Sequence, residues 1–116
     1  MKILSKVIDF LFSKLANAID RRNRKMSYTR PVIRGRGRDA FSFYENGRSV
    51  RVEAELMARS SGVDRIVYRD CLLKWDDDGK PLNPAQRERV LQEVGKFLDR
   101  KGVKWKFGDV RGATNQ

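Results

Sequence analysis

Arginine and lysine are the residues through which this sequence could contact a charged partner. The 116 residues contain 26 Lys and Arg against 15 Asp and Glu, a net charge of +11 at pH 7. The excess lies at the start, because residues 1–38 hold 11 basic and 2 acidic side chains (+9) and residues 39–116 hold 15 and 13 (+2). A locally basic segment on a near-neutral domain predicts an acidic partner for that segment only.

Two groups of cations in this segment are candidates for binding phosphates or an anionic surface. The first group, at residues 21–25, comes directly after a stretch with helical apolar periodicity. The second, at residues 34–38, alternates with glycine, so its guanidinium groups stand on a flexible backbone that can lie against phosphates. The residues are Arg21, Arg22, Arg24, Lys25, Arg34, Arg36 and Arg38. The Arg-Gly run lacks interleaved aromatics for base stacking. A solvated linker is therefore the main interpretation of the run, and nucleic-acid binding is kept as an alternative.

The residue types that serve most catalytic and metal sites are scarce here. The chain has no histidine and one cysteine, Cys71, which we expect to be buried. These counts exclude Ser-His-Asp and Cys-His catalysis, zinc sites of the cysteine and histidine type and an internal disulfide. No other pair of titratable residues stands at a recognisable catalytic spacing. We therefore predict a protein that is not an enzyme, has no cofactor and resides in a reducing, cytoplasmic compartment.

The first 26 residues predict an amphipathic helix. Its apolar residues recur at helical spacing: Leu4, Ile8, Leu11, Leu15 and Ile19, flanked by Ile3, Val7, Phe12 and Ala18. Charged residues interrupt the apolar stretch. It therefore lacks the uninterrupted apolar length needed to span a membrane, and it does not match a secretory signal. Three interpretations stay open: a helix that packs on a core or forms a homodimer, a helix in the plane of a membrane, and a helix that orders on a partner.

Residues 41–56 predict a β-hairpin around Asn46-Gly47, the strongest short signal for a two-residue type I′ turn. Counting outward from the turn pairs Phe43 with Val50 and Phe41 with Val52, so the apolar side chains share one face. A long third strand is predicted over residues 64–75, with a bulge near Cys71 and Leu72 where the apolar parity changes.

A capped helix and a final strand complete the predicted domain. Asn83, Pro84 and Gln86 suit the N-cap, N1 and N3 positions, and Gly102 suits the C-terminal end. The buried stripe is predicted to be Val90, Leu91, Val94, Phe97 and Leu98. Residues 103–107 alternate as a last strand, with Val103, Trp105 and Phe107 pointing at the helix.

The sequence thus predicts an α+β fold. It consists of an antiparallel sheet of about four strands in the order β-β-β-α-β with one packed helix, preceded by the amphipathic helix. The predicted organisation is a basic helix and Arg/Gly linker over 1–38, the domain over 39–107 and a flexible tail over 108–116.

The polar side of the hairpin and the following acidic loop are candidate protein-binding residues. Tyrosine and arginine are common at interface centres. The three loop carboxylates lack the spaced ligands and closing glutamate of a calcium loop, so they read as a polar turn. The candidate partner-binding residues are Tyr44, Arg51, Glu53, Glu55, Asp76, Asp77 and Asp78.

The domain sequence resembles immunity protein 74 of bacterial polymorphic toxin systems. The resemblance covers about residues 40–107 and rests on the hairpin Phe41–Arg48, the segment Ile66–Trp75, Gly79-Lys-Pro-Leu-Asn-Pro and Lys101-Gly-Val. In the family pattern, prolines follow the tryptophan where this chain has Asp76 to Asp78. The resemblance implies a non-enzymatic antitoxin that binds and occludes a cognate toxin domain in the cytoplasm. The alternative is a nucleic-acid-binding protein, or a peripheral protein of the inner membrane, that uses residues 1–38.

Overall fold

The computed structural model of the protein describes residues 2–110, which form two α-helices and a five-stranded mixed sheet. Helix α1 covers Lys2–Met26 and helix α2 covers Pro84–Arg100. The strands are β1 (Val32–Gly35), β2 (Ala40–Glu45), β3 (Arg48–Leu56), β4 (Arg65–Tyr68) and β5 (Trp105–Gly108), and they lie side by side in that order. The predicted α+β class with its leading helix is confirmed.

The β2–β3 hairpin has the predicted register. Phe43 pairs with Val50 and Phe41 with Val52, and the turn residues Asn46 and Gly47 take the positive φ angles that a type I′ turn requires. The apolar side chains of both strands therefore face one side of the sheet, where they enter the hydrophobic core.

Helix α2 covers that apolar face. The side chain of Asn83 accepts a hydrogen bond from the Gln86 backbone N–H, and the Gln86 side chain accepts one from the Asn83 N–H, so the predicted capping box is present. Its buried residues include Val90, Val94 and Leu98. The core thus lies between α2 and one face of the sheet, and α1 contributes no residue to it.

The predicted third strand is wrong beyond Tyr68. Strand β4 ends there, a 3₁₀ turn follows at Arg69–Cys71, and the chain then returns along β3. The reason is that Leu72 and Trp75 are both buried although they are three residues apart. A strand with a period of two would place them on opposite faces. Cys71 lies on the outer side of this turn and is exposed, contrary to our expectation.

Two further features of the sheet differ from the prediction. Strand β5 pairs with β4 in parallel, because the α2 crossover returns the chain in the same direction. The segment expected to be a linker contains β1, in which Val32 and Ile33 are buried against the hairpin. Sequence alternation is too short over these four residues to distinguish an edge strand from a loop.

The C-terminal end is only partly as predicted. Val103 and Trp105 pack against the core, whereas Phe107 is 38% exposed and lies edge-on to Trp105. Just after β5, Asp109 pairs with Arg69 at 3.0 Å. The rest of the predicted flexible tail, residues 111–116, lies outside the described residues.

Candidate binding surface on helix α1

The largest unusual feature of the surface is the apolar face of α1. Every residue from 3 to 19 is exposed. The large apolar side chains in this stretch are between 42% and 80% exposed: Ile3, Leu4, Val7, Ile8, Phe10, Leu11, Phe12, Leu15 and Ile19. We call these nine residues the α1 apolar face. Monomeric proteins rarely expose so many neighbouring apolar side chains, so this face is a candidate binding surface.

The C-terminal end of α1, together with Ser27 just after it, attaches to the domain through polar groups. Asn23 and Ser27 are 4% and 2% exposed. The Ser27 hydroxyl accepts a hydrogen bond from the Gly47 N–H at 2.8 Å, and the Ser27 carbonyl accepts one from the Asn46 N–H at 2.9 Å. The helix end is thus attached to the hairpin turn, and it docks on the sheet face opposite α2.

Arg24 is the centre of this attachment. Its guanidinium donates to the Asp20 carboxylate at 2.8 Å, to the Gly47 carbonyl at 3.0 Å and to the Ser49 hydroxyl at 3.0 Å. It also forms an ion pair with Asp77. One arginine therefore connects α1, the hairpin turn, the start of β3 and the loop after Trp75.

The acidic loop takes part in the same network. The Asp77 carboxylate accepts the Ser49 backbone N–H at 2.9 Å, and the Asp76 carboxylate accepts the Ser49 hydroxyl and the Arg36 guanidinium, both at 3.1 Å. Together with the Asp76 N–H, which donates to the Ser49 carbonyl at 2.9 Å, these contacts satisfy Ser49 on the part of the β3 edge that β4 does not reach. The carboxylates of Asp76 and Asp77 thus hold the loop against β3, and Asp77 also holds α1 through Arg24.

The electrostatics of the network favour the charged forms of Asp20 and Arg24 and the neutral form of Tyr44. Burial alone would raise the pKa of Asp20, but hydrogen bonds from Arg24 and Tyr44 outweigh it and hold that pKa below 3.8. Burial and the neighbouring Asp20 carboxylate raise the pKa of Tyr44, whose hydroxyl donates to Asp20 at 3.0 Å. The pKa of Arg24 is raised by Asp20 and Asp77 against the effect of burial.

The seven cations predicted to bind anions fall into different environments. Arg21, Arg22 and Lys25 are exposed on α1, and Arg34 and Arg38 are exposed around β1. Arg24 and Arg36, by contrast, are paired with carboxylates of the chain itself.

The seven residues predicted to bind a partner are also divided. Tyr44 is buried under α1, and Asp76 and Asp77 are in the network described above. Arg51 and Glu53 pair with each other.

The remaining two, Glu55 and Asp78, are exposed at separate places. Glu55 accepts the Tyr68 hydroxyl at 2.6 Å, a bond that raises the pKa of Tyr68 to about 12. Asp78 accepts the Lys80 N–H at 2.9 Å within its own loop. The predicted residues therefore do not form one continuous interface.

Sequence reasoning missed the residues that dock α1. Asn23 and Ser27 carry no sequence signal of their own. However, Ala16, Asp20, Asn23 and Ser27 recur at spacings of four, three and four residues, which places them on one helix face roughly opposite the apolar residues. That second periodicity could have indicated that the polar side faces the domain.

The described residues contain no cluster of three or more histidine, cysteine or acidic side chains that could hold a metal ion. Within residues 2–110, neither helix combines the length and apolar content needed to cross a bilayer. Comparison of the chain with known protein families, with curated proteins and with solved structures finds no match.

The network predicts that Arg24 stabilises the attachment of α1. Replacing Arg24 by Ala removes hydrogen bonds to four groups and should cost about 1–2 kcal/mol, since the site is partly solvated. In amide hydrogen exchange, residues 20–28 and Ser49 should lose protection. Arg21→Ala is the matched control, because Arg21 is exposed three residues away. Equal effects of the two substitutions would contradict this role of Arg24.

The lowered pKa of Asp20 predicts a pH dependence. A carboxylate whose folded pKa lies below its unfolded value of 3.8 contributes stability above that pH, and the contribution is lost as pH falls through the folded pKa. Asp20→Asn should therefore lower the free energy of unfolding at neutral pH, and the difference from wild type should shrink below about pH 4. Urea unfolding of both proteins at several pH values measures this difference in the free energy of unfolding. A difference that does not change with pH would contradict the assignment.

Proposed function

We propose that this protein is a peripheral membrane-binding protein, not an enzyme, and that α1 lies in the plane of a membrane with its apolar face inserted. The observation that carries the proposal is the α1 apolar face itself. Nine large apolar side chains are exposed on a helix whose polar side is the one that docks on the domain. The domain therefore stands on the side of the helix away from the inserted residues.

The free part of α1 needs a surface to cover it. Apolar burial stabilises by about 25 cal/mol per Å², and this helix leaves most of its apolar area in water. A free helical stretch as short as residues 3–15 is marginally stable in water without tertiary packing, so we expect these residues to gain order by binding. An amphipathic helix with low net hydrophobicity and basic flanks is typical of helices that lie in a membrane interface.

The width of the apolar face favours a membrane over a single partner helix. Projected at about 100° per residue, the apolar positions span roughly 200° of the helix circumference. Phe10 and Phe12 lie at the two opposite edges of this arc. A helix-helix contact covers a narrower stripe and would leave both rings in water. A membrane surface covers half of the helix and takes in both.

The proposal predicts that Leu11→Asp with Leu15→Asp abolishes membrane binding. Both leucines lie near the centre of the apolar face, and each contributes about 1.5–3 kcal/mol when fully buried. Affinity for vesicles of mixed phosphatidylcholine and phosphatidylglycerol should fall by about 100-fold or more in a flotation assay. In the wild type, helicity measured by circular dichroism should rise when vesicles are added.

The matched control is Ser13→Asp with Asn17→Asp. It adds the same two charges at the same spacing, but on the polar side of α1, and should leave binding within a few-fold of wild type. Failure of the wild type to bind any vesicle would overturn the proposal. A stable dimer that Leu11→Asp with Leu15→Asp dissociates would then assign the apolar face to a second copy of the chain.

We further propose a second function for the α+β domain, namely that of an immunity protein that neutralises a toxin by occluding it. The specific observation in its favour is that residues 40–107, which carry the resemblance to immunity protein 74, contain all of the core except Ile33. Helix α1 docks outside that core. The domain can thus bind a protein while α1 binds a membrane, which fits a toxin that acts at or near the membrane.

This second function predicts that the domain, not α1, binds the toxin. Co-expression with a toxin domain encoded beside this chain should rescue growth and yield a complex that also forms with Leu11→Asp and Leu15→Asp in place. Glu55→Lys should weaken the complex, whereas Glu88→Lys, at another exposed glutamate on α2, should not. No rescue and no complex would overturn the immunity function and leave membrane binding untouched.

A further inference from the structure

We infer that the membrane surface bound by α1 is anionic, and that Arg21, Arg22 and Lys25 hold its lipid headgroups. This inference rests on the proposed function, because it concerns the same helix. Membrane insertion depends on the apolar residues, whereas the choice of lipid depends on the cations that reach the headgroups beside them.

The three cations continue the apolar face along α1. Arg22 is seven residues after Leu15, and Lys25 is fourteen residues after Leu11, so each lies on the same side of the helix as that leucine. Arg21 is eleven residues after Phe10, at one edge of the face. All three are exposed. When residues 3–19 are inserted, these side chains therefore lie at headgroup depth.

Two other cations of the basic segment are already paired with carboxylates of the chain. Arg24 is bound to Asp20 and Asp77, and Arg36 is bound to Asp76. Arg24 differs from Arg22 by two positions, which turns its side chain by about 200° and toward the domain. The structure thus separates the basic residues near residue 24 into one set that holds α1 in place and one set that faces the membrane.

The distribution of charge in the whole chain fits the same partner. Residues 1–38 carry +9 and residues 39–116 carry +2, so the attraction to an anionic surface acts mainly beside α1. A parallel pairing of this face with that of a second copy is unfavourable, because it would place like-charged Arg22 and Lys25 side by side. Acidic headgroups neutralise these charges instead.

The test compares the wild type with Arg21→Gln, Arg22→Gln and Lys25→Gln combined. Binding is measured on vesicles of phosphatidylcholine alone and of phosphatidylcholine with about one third phosphatidylglycerol. Each cation near an anionic surface strengthens binding about five-fold, so the triple variant should bind anionic vesicles roughly 100-fold more weakly. On neutral vesicles it should match the wild type. Raising the salt from about 0.1 M to 1 M should weaken the wild type more than the variant.

The matched control is Arg59→Gln, Lys104→Gln and Lys106→Gln, which removes three exposed cations that lie away from α1. It should bind anionic vesicles like the wild type. Equal affinity of the wild type for neutral and anionic vesicles would overturn the inference and leave membrane binding standing. Binding to no vesicle would overturn the proposed function itself. Stronger binding to a mixed-sequence duplex DNA than to anionic vesicles, lost in the triple variant, would assign the cations to nucleic acid.

Discussion

The attachment of α1 to the domain depends on the hydrogen bonds of one arginine. Arg24 reaches Asp20 on its own helix, the Gly47 carbonyl of the hairpin turn, the Ser49 hydroxyl on β3 and Asp77 in the acidic loop. A guanidinium group suits this position because it presents five donors in a fixed plane, which a lysine ammonium does not. The position of α1 follows from this polar contact and not from burial of its apolar residues.

That constraint explains why the apolar face is left in water. One side of a helix can face the domain at a time. In α1 this is the side that carries Asp20, Asn23 and Arg24 and continues into Ser27. The apolar residues lie on the opposite side and must point away from the sheet. Polar docking also leaves the domain core complete without α1, since its members come from the sheet, α2 and the loop between them. Exposure of the apolar face thus leaves the core of the domain intact.

The sequence predicted those parts of the fold that follow from local rules. The hairpin register follows from Asn46-Gly47 and alternation, and the start of α2 follows from the capping residues Asn83 and Gln86. Local rules did not predict the path of the chain after Tyr68. Leu72 and Trp75 can be buried together only if the strand changes to a turn, and the amino-acid composition does not mark that change. The site was predicted least well. The sequence shows that α1 has an apolar side, but whether the sheet covers it depends on contacts such as Ser27 with Gly47, which are distant in the chain.

The roles of the basic residues illustrate the same limit. The sequence alone places Arg22, Arg24 and Lys25 in one set of candidate anion-binding residues, because all three are cations within four positions of each other. Helix geometry separates them, because a step of two residues reverses the direction of a side chain. Arg24 meets Asp20 and Asp77 and its charge is neutralised within the chain, whereas Arg22 and Lys25 are exposed and extend the apolar face. The positive charge available to a partner is therefore smaller than +9. The part of it carried by Arg21, Arg22 and Lys25 lies on the side of α1 that also carries the exposed leucines, so the apolar and electrostatic contributions to binding act on the same surface.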